Sequence, residues 1–493
     1  MYLLGYDIGS SSIKAALVDG ATGNALAVVS YPESEMKIDA PESSWAEQDP
    51  ELWWKNVCIA TKMLFAKHVV DANAIQGIGI SYQMHGLVLV DENQEVLRPS
   101  IIWCDSRAVE IGDEAFSAIG PEHCLSTMLN SPGNFTASKL RWVQQHEPQI
   151  YERIHKFMLP GDYIAMKLTG EITTTVSGLS EGVFWDFQKE GISTTLLDYY
   201  QIDSSLIPTI LPTFSEQGTL TAKASQEIGL PKGIPVTYRA GDQPNNALSL
   251  NVFNPGEVAA TGGTSGVVYG IVDKATYDQQ SRVNGFAHVN HAKEDPRIGV
   301  LLCINGAGSQ YNWVRQQVAQ SNLSYNEMEQ SASGVPIGSD GLSMLPFGNG
   351  AERILANADI GAQVHGLQFN RHESAHLYRA ALEGIAFAFV YGMEILKGMG
   401  LSINHMRVGN DNLFQSSIFS NTIAHLMQTQ IDVIETTGAV GAAKAAGLAT
   451  GVFNSLTVAL QQQNIVKQYA PKQTSDAYQK AYSRWKNLLI KQL

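Results

Sequence analysis

A thirteen-residue segment near the start of the chain returns in outline in its second half. Residues 7–19 and residues 261–273 each contain a glycine followed by two hydroxyl residues, and then an apolar run that ends in Val-Asp. This repeat restricts the fold more than any other feature of the sequence, because it divides the chain into two similar halves. We therefore expect a duplicated architecture.

The repeated segments carry small loops, Gly9-Ser10-Ser11 in the first copy and Gly263-Thr264-Ser265 in the second. Glycine and small hydroxyl residues let successive backbone N–H groups approach an anion, above all a phosphate group. Either loop alone is more typical of a β-hairpin with a small-residue turn. Two loops at matching positions favour a phosphate chain that is bound from both halves.

Length and charge narrow the class of protein. A chain of 493 residues exceeds what one hydrophobic core usually serves, so we expect two domains of about 250 residues each. We place their boundary at residue 245, which gives domains of residues 1–245 and 246–493. The formal charge of −14 argues against nucleic acid or an anionic membrane as a partner, since both attract basic surfaces.

The sequence is typical of a cytoplasmic protein. The N-terminus carries no basic region, and Asp7 interrupts its only apolar run, so we expect no signal peptide. The apolar stretch at residues 384–391 is too short to cross a bilayer. The four cysteines have no CxxC spacing, and in a chain of this length we expect reduced thiols.

Strand-like and helical patterns alternate, which predicts an α/β protein with a ligand in a crevice between the domains. Strands are expected at residues 2–4, 75–80, 88–90, 234–238, 299–304 and 431–434. Helices are expected at residues 374–397, 440–448 and 475–493. The second of these helices is rich in small residues and should pack closely against its neighbour. The third has Thr474 or Ser475 as its N-cap.

Two polar clusters follow apolar runs in the first half. Residues 83–86 read Gln-Met-His-Gly, and residues 103–107 read Trp-Cys-Asp-Ser-Arg. A planar apolar wall, an imidazole, a carboxylate and a guanidinium are the groups that bind hydroxyl-rich ligands such as sugars. The alternatives are a structural histidine at a strand end and a simple ion pair between Asp105 and Arg107.

A third candidate, Asp242, follows the predicted strand at residues 234–238 and precedes the second small loop. Gly241 allows close approach of the backbone, so Asp242 can take a proton from a substrate hydroxyl while phosphate comes from the loop side. A Gly-Asp turn is the plain alternative. The position of Asp242 between the two loops favours catalysis.

Taken together, these segments resemble the FGGY family of carbohydrate kinases over nearly the whole chain. The segments that carry the resemblance are residues 6–12, 44–54, 83–86, 103–107, 139–142, 241–243, 262–265 and 379–384. The resemblance implies an α/β fold of two actin-like, ribonuclease-H-like domains with a cleft between them. It also implies that residues 1–245 bind the sugar and carry the first phosphate loop, and that residues 246–493 bind the nucleotide.

The resemblance further implies roles for individual residues. Asp242 falls on the catalytic base, and Asp7 falls on the phosphate-loop aspartate, which lies near Mg²⁺ through water. Sugar contacts are implied for Met84, His85, Trp103, Asp105 and Gln243. Nucleotide contacts are implied for Gly9, Ser10, Ser11, Gly263, Thr264, Gly308, Asn312, Gly409 and Asn412.

Two segments depart from the family pattern. The usual glycine-rich adenine platform is replaced by Asp411-Asn-Leu-Phe-Gln-Ser416, which leaves the nucleotide preference open. The usual Gly-Glu-Arg-x-Pro is replaced by Gly350-Ala-Glu-Arg-Ile354. Neither departure touches Asp7, Asp242 or Thr264.

One motif points to a different class of enzyme. Residues 372–376, His-Glu-Ser-Ala-His, match the HExxH zinc signature. Zinc proteases carry both histidines on one face of an established helix and have a third ligand downstream. Here the helix is expected to begin at Ser374, and Arg379 stands where the longer signature has glycine, which argues against a metalloprotease. The chain also has neither a Walker-type phosphate loop nor a dinucleotide-binding fingerprint after its first strand.

The residues and the resemblance together predict an ATP- and Mg²⁺-dependent ketose kinase that phosphorylates D-xylulose on its 5-hydroxyl. A kinase for another ketose or polyol, such as ribulose, fuculose or glycerol, fits the catalytic residues equally well. A nucleotide-bound sugar sensor, or an actin-like ATPase, would keep both loops but would not need Asp242. The expected partner is a small sugar; its stereochemistry, and whether the chain forms a homodimer, stay open.

Overall fold

Strands and helices alternate along the chain, as the sequence predicts. The computed structural model describes residues 1–410, 412–461, 464–471 and 476–493. The strands before residue 251 are β1 (Tyr2–Ile8), β2 (Ile13–Asp19), β3 (Ala25–Tyr31), β4 (Glu47–Gln48), β5 (Ile75–Tyr82), β6 (Val88–Val90), β7 (Ser100–Ile101), β8 (Lys156–Met158), β9 (Thr173–Thr175), β10 (Trp185–Asp186), β11 (Gly191–Ile192), β12 (Thr209–Leu211) and β13 (Val236–Gly241). The α-helices of this part are α1 (Pro50–Lys67), α2 (Val109–Ile119), α3 (Pro121–Met128), α4 (Thr136–His146), α5 (Pro148–Tyr151), α6 (Pro160–Thr169), α7 (Val176–Glu181), α8 (Thr194–Tyr200), α9 (Ala222–Ile228) and α10 (Asp242–Ser249).

The remainder of the chain continues the alternation. Its strands are β14 (Glu257–Gly262), β15 (Gly266–Val272), β16 (Asn284–Ala287), β17 (Ile298–Ile304), β18 (Ser343–Leu345), β19 (Gln363–His365), β20 (His405–Gly409), β21 (Ile431–Ile434) and β22 (Ile465–Tyr469). Its α-helices are α11 (Ala307–Trp313), α12 (Tyr325–Ser333), α13 (Ser374–Gly398), α14 (Ser417–Met427), α15 (Gly438–Ala449), α16 (Leu456–Leu460) and α17 (Asp476–Ile490).

The predicted elements are observed with small shifts at their ends. The predicted strands lie within or overlap β1, β5, β6, β13, β17 and β21, and the predicted helix at residues 374–397 is α13. The helix expected at residues 475–493 is α17, which begins at Asp476. The N-cap candidates Thr474 and Ser475 lie outside the described residues.

The chain separates into two compact units. The first unit comprises residues 1–251, 286–298 and 436–463, and the second comprises residues 252–285, 299–435 and 464–493. Each unit contains a main sheet, with the strand order β13–β5–β1–β2–β3 in the first and β16–β17–β15–β14–β20–β21–β22 in the second. The run β21–β20–β14–β15–β17 repeats the order of the whole first sheet. The duplication expected from the sequence is therefore confirmed in the topology.

Both copies of the repeated segment form antiparallel hairpins. β1 pairs with β2 in the first unit, and β14 pairs with β15 in the second. In each sheet a parallel strand then joins the first strand of the hairpin, β5 on β1 and β20 on β14. The hairpin alternative for the two small loops is thus observed, and it leaves the glycine and hydroxyl residues at the turns.

Helix α15 packs on β1 and β5 of the first unit, although nearly two hundred residues of chain separate it from β13. The contact is close because two glycines of the sheet face the helix. An ideal Cβ atom on Gly5 would lie 1.9 Å from the Ala439 carbonyl oxygen, and one on Gly79 would lie 1.9 Å from the Ala442 carbonyl oxygen. The close packing predicted for this small-residue helix is therefore confirmed.

The long apolar helix α13 is a core element of the second unit, where it packs against α14, α12 and β18. Its residues from Tyr378 to Val390 are buried. Within the described ranges of the chain, no helix combines the length and the apolar character that a membrane span needs.

Candidate active site

The strongest catalytic candidate, Asp242, is the first residue of α10 and directly follows the last residue of β13. Gly241 precedes it in a confined place: an ideal Cβ atom there would lie 2.3 Å from Glu181 Oε2 and 2.6 Å from Met84 Cγ. Only glycine fits between these side chains without displacing them. The turn therefore brings Asp242 next to residues that the sequence places far apart.

The surroundings of Asp242 favour its protonated form. Burial raises the pKa of Asp242 to about 7, and the negative charge of Asp7 adds to this effect, while hydrogen bonds from Gln243 act in the opposite direction. Asp7 lies on β1 opposite Ser81 of β5, and the Ser81 hydroxyl donates to Asp7 Oδ1 at 2.8 Å. The structure thus brings together Asp7, Asp242 and Gln243, and a base with a pKa near neutrality suits proton transfer at that pH.

His85 follows β5 with a left-handed backbone, φ 62°, which is uncommon for a residue other than glycine. Its ring is oriented by a hydrogen bond of 2.9 Å between Nδ1 and the Glu181 carbonyl oxygen. A carbonyl can only accept, so Nδ1 carries the proton and Nε2 of the neutral ring is an acceptor. The ring meets Phe135 edge to face, with centroids 4.7 Å apart. The neighbouring Met84 is almost fully buried.

Lys139 fixes the loops that carry the predicted sugar contacts. Its ammonium group donates to the carbonyl oxygen of His85 at 3.0 Å and to that of Ile102 at 2.9 Å. The side chain is fully buried, and this burial lowers the pKa of Lys139 to about 7, although Asp105 acts in the opposite direction. Lys139 therefore ties the segment after β5 to the segment after β7.

Trp103 and Asp105 have different environments. Trp103 is 53% exposed, and its indole N–H donates to Ser10 Oγ at 3.2 Å. The Asp105 carboxylate is buried and accepts from the Arg107 guanidinium at 2.7 Å and from the Ala46 backbone N–H at 2.5 Å. The ion-pair alternative for Asp105 and Arg107 is thus observed, and a direct sugar contact of Asp105 stays a prediction.

The first small loop is a tight turn between β1 and β2. The Gly9 N–H donates to the Ser12 carbonyl oxygen at 3.1 Å, and an ideal Cβ atom on Gly9 would lie 3.0 Å from that oxygen. The Ser10 carbonyl accepts from Gln48 Nε2 at 2.7 Å. Ser11 is exposed at the tip of the turn. These contacts hold the turn in one shape and leave small side chains at its surface.

The second small loop borders a cavity of about 500 Å³ in the second unit. Gly263 and Thr264 line this cavity together with Gly308 and Asn312, so four of the predicted nucleotide contacts lie around one space. The Gly308 N–H donates to the Gly263 carbonyl oxygen at 3.0 Å. An ideal Cβ atom on Gly308 would lie only 2.2 Å from that oxygen, so glycine is required for α11 to approach the loop.

Aromatic side chains form another part of the cavity wall. Tyr311 and Tyr325 line the cavity, and their rings stack with centroids 5.4 Å apart. The Tyr325 hydroxyl donates to Asn312 Oδ1 at 3.1 Å. Glu329 also lines the cavity and accepts from the Ser416 hydroxyl at 2.6 Å. Motif reasoning did not find these residues, because only their position around the cavity distinguishes them.

The segment that replaces the adenine platform is described only in part. Asp411 and the side chain of Asn412 lie outside the described residues, so the predicted role of Asn412 stays a prediction. Gly409 is the last residue of β20. Leu413, Gln415 and Ser416 line the cavity.

Glu352, from the other departing segment, supports the start of α11. Its carboxylate accepts from the backbone N–H groups of Asn305 and Gly306, at 3.1 and 3.0 Å. The side chain is buried, and burial raises the pKa of Glu352 to about 7. Glu352 therefore holds the chain directly before Gly308 without contacting the cavity itself.

The HExxH motif is not contained in one helix. Helix α13 begins at Ser374, after His372 and Glu373. His372 Nδ1 accepts from the Gln368 N–H at 3.0 Å, and His376 Nδ1 accepts from the Glu373 N–H at 3.1 Å. The two histidines therefore make local contacts at the start of the helix and do not lie on one helical face. This agrees with the expectation from the sequence that the helix begins at Ser374.

Comparison with known proteins matches both halves of the chain to the same protein family. The model of the N-terminal domain of the FGGY family of carbohydrate kinases matches residues 2–249, and the model of the C-terminal domain of the same family matches residues 258–450. The chain is 28% identical to the xylulose kinase of Bacillus subtilis over 496 aligned residues, which cover 99% of this chain and 96% of that protein. It is 30% identical to a xylulose kinase of Staphylococcus epidermidis, with 82% of this chain and 78% of that protein covered.

Solved structures agree with these matches. The crystal structure of xylulose kinase from Rhodospirillum rubrum superposes with a TM-score of 0.89 at 27% identity, and covers 100% of this chain and 99% of that one. The predicted fold class, α/β with two actin-like domains, is confirmed by this likeness over the full length.

Proposed function

Because the chain belongs to the FGGY family of carbohydrate kinases, we propose that it transfers the γ-phosphoryl group of ATP to the 5-hydroxyl of D-xylulose. The xylulose kinases that match nearly the whole chain support this choice of sugar. The observation that carries phosphoryl transfer, as opposed to binding alone, is the position of Asp242 beside Asp7 with a pKa of about 7.

In the proposed reaction, the sugar lies against Met84 and His85, with Trp103 as an apolar wall. Asp242 accepts the proton of the 5-hydroxyl while the sugar oxygen forms a bond to the γ-phosphorus and the bond from that phosphorus to the ADP oxygen breaks. Nε2 of His85, an acceptor in the tautomer fixed by Glu181, suits a second sugar hydroxyl. Gln243 is a further sugar contact beside the base.

We assign the nucleotide to the cavity of the second unit. Gly263 and Thr264 line this cavity and would contact the phosphates. The nucleotide contacts of Gly9, Ser10 and Ser11 stay a prediction. The negative charge of Asp7 acts on Asp242, so Asp7 lies beside the base, and its carboxylate is the kind of oxygen ligand that would hold Mg²⁺ through water. When bound, Mg²⁺ would neutralise charge that develops on the outer phosphates.

In this proposal residues 1–245 form the sugar-binding domain and residues 246–493 form the nucleotide-binding domain. The predicted cytoplasmic location can be tested by cell fractionation. Whether the chain forms a homodimer, which the sequence leaves open, can be tested by size-exclusion chromatography with light scattering.

A panel of sugars tests the substrate. ADP release would be followed for the purified protein with D-xylulose, D-ribulose, L-fuculose and glycerol at matched concentrations, and D-xylulose should give the highest kcat/KM. A higher value for another sugar would reassign the substrate within the family. ADP release that no sugar stimulates would favour the sugar sensor or the actin-like ATPase.

Substitution of the base tests the mechanism. Asp242→Ala should lower turnover by on the order of 10² to 10⁴-fold, the usual contribution of a positioned base, and should leave nucleotide binding intact. Asp113→Ala, at an exposed carboxylate of α2, is the matched control and should behave like the wild type. Unchanged turnover in Asp242→Ala would remove Asp242 from the mechanism.

A further inference from the structure

Glu181 contacts His85 through both its backbone and its side chain. It is the last residue of α7 and is fully buried. Its carbonyl oxygen accepts from His85 Nδ1 at 2.9 Å, and its Oε1 lies 3.5 Å from the His85 backbone nitrogen. The histidine is held in a left-handed backbone conformation, which is uncommon outside glycine and needs support from its surroundings.

The other carboxyl oxygen of Glu181 faces the catalytic turn. Oε2 would lie 2.3 Å from an ideal Cβ atom on Gly241, directly before Asp242. Oε2 is buried and makes no hydrogen bond of ordinary geometry, although the Tyr82 hydroxyl is close enough to interact with the carboxyl group. A buried polar oxygen without a well-formed partner is costly in a folded protein, so its position beside the catalytic turn points to a function.

The charges around Glu181 favour its neutral form. Burial raises its pKa well above the ordinary value, and the nearby carboxylates of Asp242 and Asp162 raise it further. Asp162 is itself paired with Arg239, Nε to Oδ1 at 3.0 Å. A neutral carboxyl group adds no negative charge where a sugar oxygen must approach phosphate.

We propose that Glu181 is a positioning residue of the sugar site, which holds His85 and the Gly241–Asp242 turn in the arrangement that receives the ketose. This inference rests on the proposed function, because it takes His85 as a sugar contact. Glu181 acts through its neighbours: its backbone carbonyl sets the ring tautomer of His85, and its carboxyl group places one oxygen near the His85 backbone nitrogen and the other beside Gly241.

The experiment compares two substitutions of similar size. Glu181→Gln keeps a neutral polar group with a carbonyl oxygen, whereas Glu181→Met fills the volume without an acceptor. We expect Glu181→Met to raise the KM for D-xylulose by about tenfold, because it removes the oxygen 3.5 Å from the His85 backbone nitrogen and the oxygen beside Gly241, and to leave the KM for ATP unchanged. Glu181→Gln should stay within about threefold of the wild type. Thermal unfolding of each variant reports whether the fold is intact.

A double variant separates positioning from a general structural role. In the His85→Ala background, Glu181→Met should add little to the KM for D-xylulose, because the residue through which Glu181 acts is already lost. Full additivity, an equal rise in the KM for ATP, or Glu181→Gln as impaired as Glu181→Met would each overturn the proposal. If Glu181→Met does not fold, Glu181→Gln still decides: a KM more than tenfold above the wild type would refute the role of a neutral acceptor.

The failure of this inference can be distinguished from the failure of the proposed function. If the wild-type protein phosphorylates no sugar of the panel, the function itself is wrong. If it phosphorylates one of them and the Glu181 variants retain the wild-type KM for that sugar, only the positioning role is wrong.

Discussion

Asp242 must be ionised before it can accept a proton from the sugar, so its pKa sets the lower pH limit of catalysis. Burial and the charge of Asp7 raise this pKa to about 7. The neutral form therefore dominates below that pH, and kcat/KM should fall as the pH is lowered. With one ionisation, kcat/KM for D-xylulose should reach about half its plateau value at pH 7 and about a tenth at pH 6.

The assay is the initial rate of ADP release with D-xylulose and ATP both well below their KM values, so that the rate reports the ionisation of the ligand-free protein, measured from about pH 5 to about pH 9. Two other buried groups share the same range, since the pKa values of Lys139 and Glu352 are also about 7. Lys139→Met and Glu352→Gln are therefore the controls, and both should keep the midpoint of the wild type. Asp7→Asn should move the midpoint of its residual activity to lower pH, because one cause of the raised pKa is removed.

Two results would refute this reasoning. A wild-type midpoint near pH 4 would mean that Asp242 ionises like an exposed carboxyl group and is not perturbed by its surroundings. A midpoint that stays unchanged in Asp7→Asn but disappears in Glu352→Gln would assign the fall of kcat/KM at low pH to the ionisation of Glu352.

Two further predictions concern the second unit. Gly308→Ala should raise the KM for ATP by roughly tenfold or more, because its Cβ atom would lie 2.2 Å from the Gly263 carbonyl oxygen. Gly398→Ala is the control, because an ideal Cβ atom there would meet no atom of the described residues within 4 Å beyond its chain neighbours and its own helix backbone. Equal effects of both substitutions would contradict the role of the loop contact. Glu352 has a folded-state pKa raised from 4.5 to about 7, so the folded protein binds the proton more tightly and its stability should fall as the pH rises through that window. Between pH 5 and pH 7.5, the thermal unfolding temperature should fall further in the wild type than in Glu352→Gln. An equal fall in both proteins would show that Glu352 does not contribute to the pH dependence of stability.

Local patterns predicted much of the fold. The apolar periodicity of α13 is visible in the sequence because a buried helix needs apolar residues at a regular spacing, and its observed bounds, Ser374–Gly398, differ by one residue from the prediction. The repeat at residues 7–19 and 261–273 predicted the duplicated strand order for a similar reason, since equivalent turns need equivalent small residues. Such signals lie within short stretches of sequence.

Contacts between distant residues could not be predicted in this way. Glu181 lies 96 positions from His85 in the sequence, and the residues adjacent to it in the sequence do not indicate that it contacts this histidine. The partners of Lys139 are backbone carbonyl oxygens, which leave no trace in the side-chain pattern. Asp105 was predicted as a sugar contact because of its residue type, but its burial against Arg107 depends on how the surrounding segments fold.

The docking of α15 on the first sheet has a consequence for the order of events during synthesis. The strands of that sheet are complete when Gly241 has left the ribosome, but the helix that covers Gly5 and Gly79 is made only after residue 438. At ordinary rates of translation this delay is on the order of ten seconds or more. Throughout that time one face of the nascent sheet is uncovered, so the first unit completes its folding only after most of the second has been translated.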